Sequence, residues 1–555
     1  MDYISVKEFC KELSISIATG RNWIKSGKLT PEFTDKKQPY FTRQYIDKFK
    51  KDIQSDSNKV LKSRRNKKYV SGNSLYNSYI YEQSKNIVVL QKLLAIIERE
   101  HVELSTIAIN SIVANCFLQL FLKKQNKDSR NEHDLLPMFL ANEFSTGEYD
   151  LLINDLIEDR NMTLQFCREH PFIFEMEYTL EPNEDTLGLI WISCNNIGKR
   201  KATGTYYTPT KIVKKLISKL DISDQDRVLD PCCGTGNFLL QLPSDIPFEN
   251  IYGNDMDHSS FKIARLNMAL RFSEVSALQI CEHITNFNYL TEYMSRSFQF
   301  IIGNPPWGFV FSEAEKARLK KEFKATSGKN IESYDVFIEH ALNNLSVNGQ
   351  LSFILPEAIL NVRSHKDIRE ILLQKNSIKY LEFLGNVFDG VQCPCILLQI
   401  LHTDQPMSTI GMMVNRSNTS FTINNERAVT AEYFSFLTSD EEYRILDKIK
   451  HCDHSAFLAK NADFALGIVT GNNKEFITRE KTDENEMILK GMDLRKYRFI
   501  PTDNYIVFKP EAFQQTAPTE LYRAPEKLLY RFISRQLVFA YDDKQTLSLN
   551  SCNIG

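Results

Sequence analysis

Four apolar segments between residues 227 and 303 each stop at residues able to meet a ligand, and no other feature of the chain limits its fold so closely. Val228-Leu229 runs into Asp230-Pro231-Cys232-Cys233-Gly234-Thr235-Gly236-Asn237-Phe238, and Ile251-Tyr252 leads to Asp255-Met256. Ile284-Thr285 leads to Asn286-Phe287, and Phe298, Phe300, Ile301 and Ile302 lead to Asn304-Pro305-Pro306-Trp307. Short apolar runs separated by helical patterns predict successive βα units, which assemble into a parallel sheet wound with helices on both faces. Ligands of such sheets lie beyond the carboxyl ends of the strands. The fold expected is therefore α/β and doubly wound, a Rossmann-like sheet with a nucleoside pocket.

Each stop has a chemistry. Gly234 and Gly236 let backbone approach a ligand closely, although the run is not the G-x-G-x-x-G dinucleotide fingerprint. Asp255 offers a carboxylate to both hydroxyls of a ribose, and Met256 lies against a base. Asn286 offers an amide to an adenine amino group, and Phe287 an aromatic wall. Upstream, Gly204-Thr205-Tyr206-Tyr207-Thr208-Pro209 precedes the helical TKIVKKLISKL. A Thr-Pro helix start supplies a capping hydroxyl and free N–H groups that suit a carboxylate.

In Asn304-Pro305-Pro306-Trp307 the prolines fix φ and remove two donors, so the Asn304 side chain and the Pro305 carbonyl are presented as acceptors from a stiff turn, with Trp307 as a flat stacking surface. Alone, such a turn is more often structural than catalytic. The strands before it favour a site. Residues 312–333 are charged and are expected to form a mobile loop that closes over substrate.

The flanks differ in character. Residues 1–75 hold 17 Lys or Arg against 8 Asp or Glu, with a dense run at Lys62, Arg64, Arg65, Lys67 and Lys68. Ser5 caps a predicted helix, a second helix ends at Gly27, and the pattern resembles the winged helix-turn-helix of excisionase and MerR-type proteins. That resemblance implies DNA contact through Arg21, Asn22 and Lys25. The whole chain has a formal net charge of -2, so any nucleic-acid binding must come from such local patches. Long helical patterns fill residues 76–200, and the absence of Glu-x-Lys before residue 200 argues against a common nuclease core. From about 455 the pattern changes to short strands and turns with interleaved basic and aromatic residues, among them Lys490, Arg495, Lys496 and Arg531. The last residues show no clear closing element, so this domain is expected to continue or to need a partner. The eleven cysteines lack metal-site spacing and are read as reduced thiols, with no metal expected. No apolar run of transmembrane length and a polar N-terminus predict a cytoplasmic protein with no membrane partner.

Taken together, Gly204 to Pro209, Asp230 to Phe238, Asp255 and Asn304 to Trp307 resemble the motif series of the N6-adenine DNA methyltransferases, in the gamma-class order. The resemblance runs from about 185 to 555. It implies a seven-stranded methyltransferase sheet, S-adenosyl-L-methionine as cofactor, double-stranded DNA as partner and a C-terminal mixed α/β target-recognition domain. It assigns the catalytic turn to Asn304, Pro305, Pro306 and Trp307, and base stacking from the opposite face to Phe388. Cofactor contacts fall to Thr205, Tyr206, Thr208, Asp230, Pro231, Gly234, Gly236, Asp255, Met256, Asn286 and Phe287. Trp307 stands where the family more often has Tyr or Phe, and Asn286 where it often has Asp. The domains expected are a helix-turn-helix-like module (1–60), a basic linker and helical domain (61–195), the methyltransferase domain (196–450) and target recognition (451–555). The chain reads as a restriction-modification or phage-defence enzyme, with a separate restriction or specificity subunit left open. The same turn also serves methyltransferases of RNA adenine and of protein glutamine, and a non-catalytic DNA-specificity subunit is the alternative from another class.

Overall fold

The computed structural model describes residues 3–12, 24, 29, 31–35, 38–46, 79–125, 135–195, 206–292, 296–328, 331–388, 393–416 and 419–555. The chain divides into two compact units, Met1–Glu442 and Tyr443–Gly555.

At the N-terminus, Tyr3–Ser5 leads straight into the helix Val6–Glu12 and pairs with Gln38–Thr42, itself paired with Phe33–Asp35, in an antiparallel sheet. Ser5 caps the helix as expected: Glu8 N donates to Ser5 Oγ at 3.3 Å, and the Glu8 carboxylate accepts from Ser5 N at 2.9 Å. A core of its own, in which Phe9 stacks on Phe41 at 4.5 Å, holds this segment together. Arg21, Asn22, Lys25 and the basic run from Lys62 to Lys68 lie outside the described residues.

The described residues between 85 and 194 form mainly helices. Lys85–Arg99, Thr106–Lys124, Arg160–Glu169 and Thr186–Cys194 start at Ser84, Ser105, Asp159 and Asp185, whose side chains accept from the first free N–H groups. Thr106–Lys124 is long and apolar enough to cross a membrane, contrary to the reading that no segment is. Every residue from Ala108 to Leu122 is nevertheless buried in protein. Neighbouring helices and the sheet supply its apolar surroundings. These helices share one core with the sheet, so the helical region expected as a domain at 61–195 is one layer of a larger unit.

The sheet contains β1 (Val228–Asp230), β2 (Ile251–Asn254), β3 (Ile284–Thr285), β4 (Phe298–Gly303), β5 (Leu345–Pro356), β6 (Asn376–Gly385), β7 (Cys395–His402), β8 (Met413–Arg416) and β9 (Thr419–Thr422). Their order is β9-β8-β6-β7-β5-β4-β1-β2-β3. Strands β5-β4-β1-β2-β3 run parallel, and β7 lies antiparallel between β5 and β6. Among the described residues nine strands pair in this sheet: β3-β2-β1-β4-β5-β7-β6 make seven, the number expected, and β8 and β9 are added at the edge of β6. β8 runs parallel to β6 and buries Val414, and β9 turns back on it, so the edge of β6 is paired rather than bare. Because β1 and β4 are adjacent, their carboxyl ends place the glycine run beside the Asn-Pro-Pro-Trp turn.

Part of the stretch expected as a loop, 312–333, is a helix. A capping box at Ser312 and Glu315 starts the helix Glu313–Glu322, and Leu319 and Phe323 are buried. The Glu339 carboxylate then accepts from the N–H groups of Lys324 and Ala325 at 3.0 and 2.8 Å.

The second unit holds short strands with a few short helices between them. Its sheets join Ile477–Thr478, Tyr505–Ile506, Glu486–Leu489 and Leu547–Ser548 in one set, and Phe539–Asp542, Lys527–Arg531 and Cys552–Ile554 in another, around buried Ile488, Leu489, Leu529, Ala540, Leu547 and Ile554. Cys552–Ile554 pairs antiparallel with Lys527–Arg531.

Candidate active site

A cavity of about 250 Å³ opens at the carboxyl ends of β1, β2 and β4. Its lining includes Tyr206, Thr208, Pro231, Gly234, Asp255, Met256, Phe287, Asn304 and Pro306, so most residues read from the sequence converge on one space. Thr205 lies outside the described residues.

The glycine run forms the inner wall. Gly234 and Gly236 adopt φ of +54° and +91°, values that a side chain would strain. A Cβ on Gly234 would touch the Tyr207 ring at 3.4 Å. Gly234 N donates to Asp255 Oδ2 and Asp257 N to Asp255 Oδ1, both at 2.8 Å, which orients the Asp255 carboxylate. Each oxygen keeps a lone pair for a further donor. Burial pushes the Asp255 carboxyl up to about 6.

Asp230 lies behind the wall rather than in it. It is fully buried, takes Cys232 N on Oδ1 at 3.1 Å, and its Oδ2 has no hydrogen-bond partner. Burial pushes its carboxyl up to about 8, an effect the Cys232 N–H opposes and the Asp255 charge adds to. Gly303, the last residue of β4, has no room for a Cβ, which would lie 2.6 Å from Asp230 Oδ1. Asp230 therefore sets the packing between the two strand ends.

Thr208 corrects one detail. Pro209, not Thr208, occupies the N-cap of Thr210–Ile217, and it makes no side-chain cap bond because proline has none to offer. The Thr208 hydroxyl is buried and without a hydrogen-bond partner. It is available to a ligand.

Asn286 corrects another. Its side chain is exposed, donates to the Asp255 carbonyl at 2.7 Å and does not line the cavity. Its neighbour Phe287 lines the cavity as expected, and so does Asn288, which sequence reasoning missed. Met256 sits at the rim with 56% of its surface exposed.

At the end of β4, Asn304 Nδ2 donates to the Tyr206 carbonyl at 2.8 Å, and Asn304 Oδ1 is buried with no hydrogen-bond partner. The amide is thus locked with its acceptor free. An unsatisfied buried acceptor costs about 1–3 kcal/mol, which a ligand donor would recover. Ser333 Oγ donates to the Pro306 carbonyl at 2.5 Å and steadies the turn from the start of the helix Ser333–Asn344. Below it, His365 Nδ1 lies 2.8 Å from Asp335 Oδ2 and its Nε2 2.8 Å from the Tyr334 hydroxyl, all buried. Neither set was anticipated.

Trp307 and Phe388 come together, but not as two faces held apart. Their ring centroids are 5.0 Å apart with planes at 89°, an edge-to-face contact, and Tyr206 packs on both, at 5.4 and 5.8 Å. Trp307 Nε1 is buried without a hydrogen-bond partner. A planar base can enter between these rings only if one of them rotates.

The second unit holds the remaining candidates, and there two are already committed. Arg531 donates to the carbonyls of Gly491 and Leu494 at 2.8 and 2.6 Å, and Lys490 Nζ to Asn504 Oδ1 at 3.0 Å. Their geometry is that of loop braces. Arg495 is exposed and bonds the Met492 and Leu494 carbonyls, and Lys496 lies 5.3 Å over the ring of Tyr497, itself 78% exposed.

A wound sheet of this order, with a nucleoside-sized cavity at the glycine run and a free amide acceptor at the adjacent strand end, defines a Rossmann-like group-transfer enzyme. Residues 190–473 match the family described as N-6 DNA Methylase, more than half of the chain, and this protein belongs to that family. Its cofactor is S-adenosyl-L-methionine. Residues 486–555 match the TaqI-like C-terminal specificity domain. Among curated relatives, the Type II methyltransferase M.VspI of Vibrio sp. (strain 343) is 25% identical over 374 residues, covering 64% of this chain and 88% of the relative. The Type II methyltransferase M.HincII of Haemophilus influenzae is 24% identical over 212 residues, 37% of this chain and 38% of the relative. The chain thus spans less than half the length of some relatives it matches. Two solved structures share the fold at 12% identity. The DrdV–DNA complex has a TM-score of 0.53 and covers 85% of this chain and 64% of that one; MmeI in complex with DNA has a TM-score of 0.51 and covers 85% and 82%.

Proposed function

We propose that this protein is a site-specific DNA methyltransferase of a restriction-modification system, of the gamma class, that transfers a methyl group from S-adenosyl-L-methionine to N6 of adenine. One observation carries the reading: Asn304 Oδ1, buried, unpaired and aimed by the Tyr206 carbonyl, beside a cavity floored by the glycine run.

When bound, S-adenosyl-L-methionine supplies an electrophilic methyl group on a sulfonium. Asp255 accepts the ribose hydroxyls, Thr208 meets the amino-acid carboxylate, and Phe287, Asn288 and Met256 enclose the base of the cofactor. The target adenine must leave the duplex for its amino group to reach this site. Asn304 Oδ1 and the Pro305 carbonyl accept its two N6 hydrogens, which draws the nitrogen toward tetrahedral geometry and localises its lone pair. Trp307 and Phe388 stack on the adenine once their edge-to-face contact opens. Acceleration comes from positioning and from fixed dipoles at the site.

Specificity falls to the second unit, where exposed Arg495, Lys496 and Tyr497 meet DNA. A helix-turn-helix-like module at residues 1–60 adds nonspecific contacts. The related proteins named for type II methyltransferases support the system assigned. The test is product identity. Duplex DNA, RNA and a protein extract, each incubated with the protein and methyl-labelled cofactor and then digested, yield label as N6-methyladenine in the DNA; label in N4-methylcytosine, in the RNA alone or in a glutamine side chain would overturn the assignment.

A further inference from the structure

The strongest buried cluster outside the cavity joins the helical layer to the glycine run. Asp185, the N-cap of Thr186–Cys194, is fully buried and takes four hydrogen bonds from neutral donors. Oδ2 accepts from the Tyr79 and Thr235 hydroxyls, each at 2.5 Å, and Oδ1 from Gly188 N and Asn267 Nδ2, each at 2.7 Å. Asn267 Nδ2 also donates to the Thr235 carbonyl at 2.8 Å. Of the four donors, three come from segments far from Asp185 in the sequence. A local cap would need only Gly188.

What these donors hold in place is the cavity itself. Thr235 stands between Gly234 and Gly236, both at positive φ and both without a side chain, so its hydroxyl is the side-chain anchor of the turn, beside the backbone bonds from Gly234 N to Asp255 and from Asn267 to the Thr235 carbonyl. Gly188 leaves space for this anchor, since a Cβ there would lie 2.2 Å from Asp185 Oδ2 and 2.4 Å from Thr235 Oγ1. Tyr79 lines the cavity, meets Tyr207 edge-on at 6.3 Å, and gives its carbonyl to Thr210 N at 2.8 Å, where the following helix begins. One carboxylate therefore fixes the floor of the cavity through Thr235 and part of its wall through Tyr79.

We propose that Asp185 is a positioning residue for the cofactor: the helical layer, through Asp185, holds the Gly234-Thr235-Gly236 turn and Tyr79 in the shape that S-adenosyl-L-methionine binds. The proposal rests on the cofactor assignment. Asp185→Asn is isosteric and can keep Gly188 N and Asn267 Nδ2 on its oxygen, but its NH2 group takes the place of Oδ2, so the Tyr79 and Thr235 hydroxyls lose their charged acceptor and must turn round to accept instead, which loosens the turn.

The experiment measures equilibrium binding of S-adenosyl-L-methionine and steady-state methyl transfer in the full chain. Asp185→Asn raises Kd and KM for the cofactor at least tenfold, while kcat at saturating cofactor and KM for DNA stay within about threefold. Thr235→Val and Tyr79→Phe each weaken cofactor binding, and Thr235→Ser, which keeps the hydroxyl, restores it. If Asp185→Asn fails to fold, the contrast between Thr235→Val and Thr235→Ser decides. Wild-type binding with unchanged cofactor Kd across the soluble variants, or equal binding by the Val and Ser variants, overturns the proposal alone. A wild-type chain that binds no S-adenosyl-L-methionine overturns the cofactor assignment and this proposal with it.

Discussion

Lowering the pH through the titration of Asp255 will weaken cofactor binding, by an amount that follows from its surroundings. Burial pushes this carboxyl up to about 6, while the N–H groups of Gly234 and Asp257 orient both oxygens. Ribose hydroxyls donate best to the ionised form, which dominates above pH 7. If only the ionised form binds, apparent Kd rises as protonation proceeds, reaching about tenfold at pH 5 relative to pH 7.5, or ~1.4 kcal/mol. The cofactor's own groups contribute little below pH 7, since an α-carboxyl titrates near about 3.5 and an α-amine near about 7.7. Isothermal titration across this range gives the acid limb directly. Asp255→Asn must lose both affinity and the limb, because the amide cannot ionise and turns an NH2 against one of the two backbone donors. A weakening of about ten- to a hundredfold at neutral pH corresponds to the loss of one charge-assisted hydrogen bond of ~1.5–3 kcal/mol. Wild-type affinity that is flat to pH 5, or an Asn variant with the same acid limb, would refute the reasoning.

Asp230 gives a stability effect of stated sign. Its carboxyl is raised by burial to about 8, so the folded chain keeps a proton that the unfolded chain gives up from about pH 4 upward; stability therefore falls with rising pH until about 8, by up to ~1.4 kcal/mol per pH unit. Urea denaturation of the Asp230→Asn variant should show a shallower slope between pH 5 and 8, and an unchanged slope would count against it. Gly188→Ala forces a Cβ to within 2.2 Å of Asp185 Oδ2 and should cost at least ~1–3 kcal/mol, read as a lower denaturation midpoint. Phe388→Ala removes a stacking face worth about 1–3 kcal/mol, so KM for DNA rises about 5- to 100-fold while cofactor Kd holds; equal KM values would remove Phe388 from the site.

The parallel core of the sheet was readable because each strand ends in a residue type that the next helix cannot use: Asp230 before Pro231, Asp255 after Asn254, Asn304 before Pro305. β8 and β9 were not, since four-residue strands at an edge carry too little periodicity to separate from loop. The charge of residues 312–333 suggested mobility, and only the Ser312/Glu315 spacing pointed to a capped helix. Asp185 and Tyr79 stayed hidden because their partners lie in distant segments, and nothing in either local pattern distinguishes a cap from a tertiary anchor. A hint existed in Asp185-Thr186-Leu187-Gly188, an acidic cap followed by a glycine inside a buried helix, where glycine costs about 1 kcal/mol unless space demands it. Lys490 and Arg531 show the converse. Their charge suggested DNA, but the Arg531 guanidinium is met by the Gly491 and Leu494 carbonyls and the Lys490 ammonium by the Asn504 side-chain oxygen.

The central claim is that the free Asn304 acceptor activates the amino group. Asn304→Ala removes that acceptor while leaving Asp255, Thr208 and the glycine run in place. Measured side by side, methyl transfer to DNA by this variant should fall by at least about a hundred- to a thousandfold, the scale for loss of one preorganised transition-state contact, with cofactor Kd within about threefold of wild type. Methyl transfer at the wild-type rate would contradict the account.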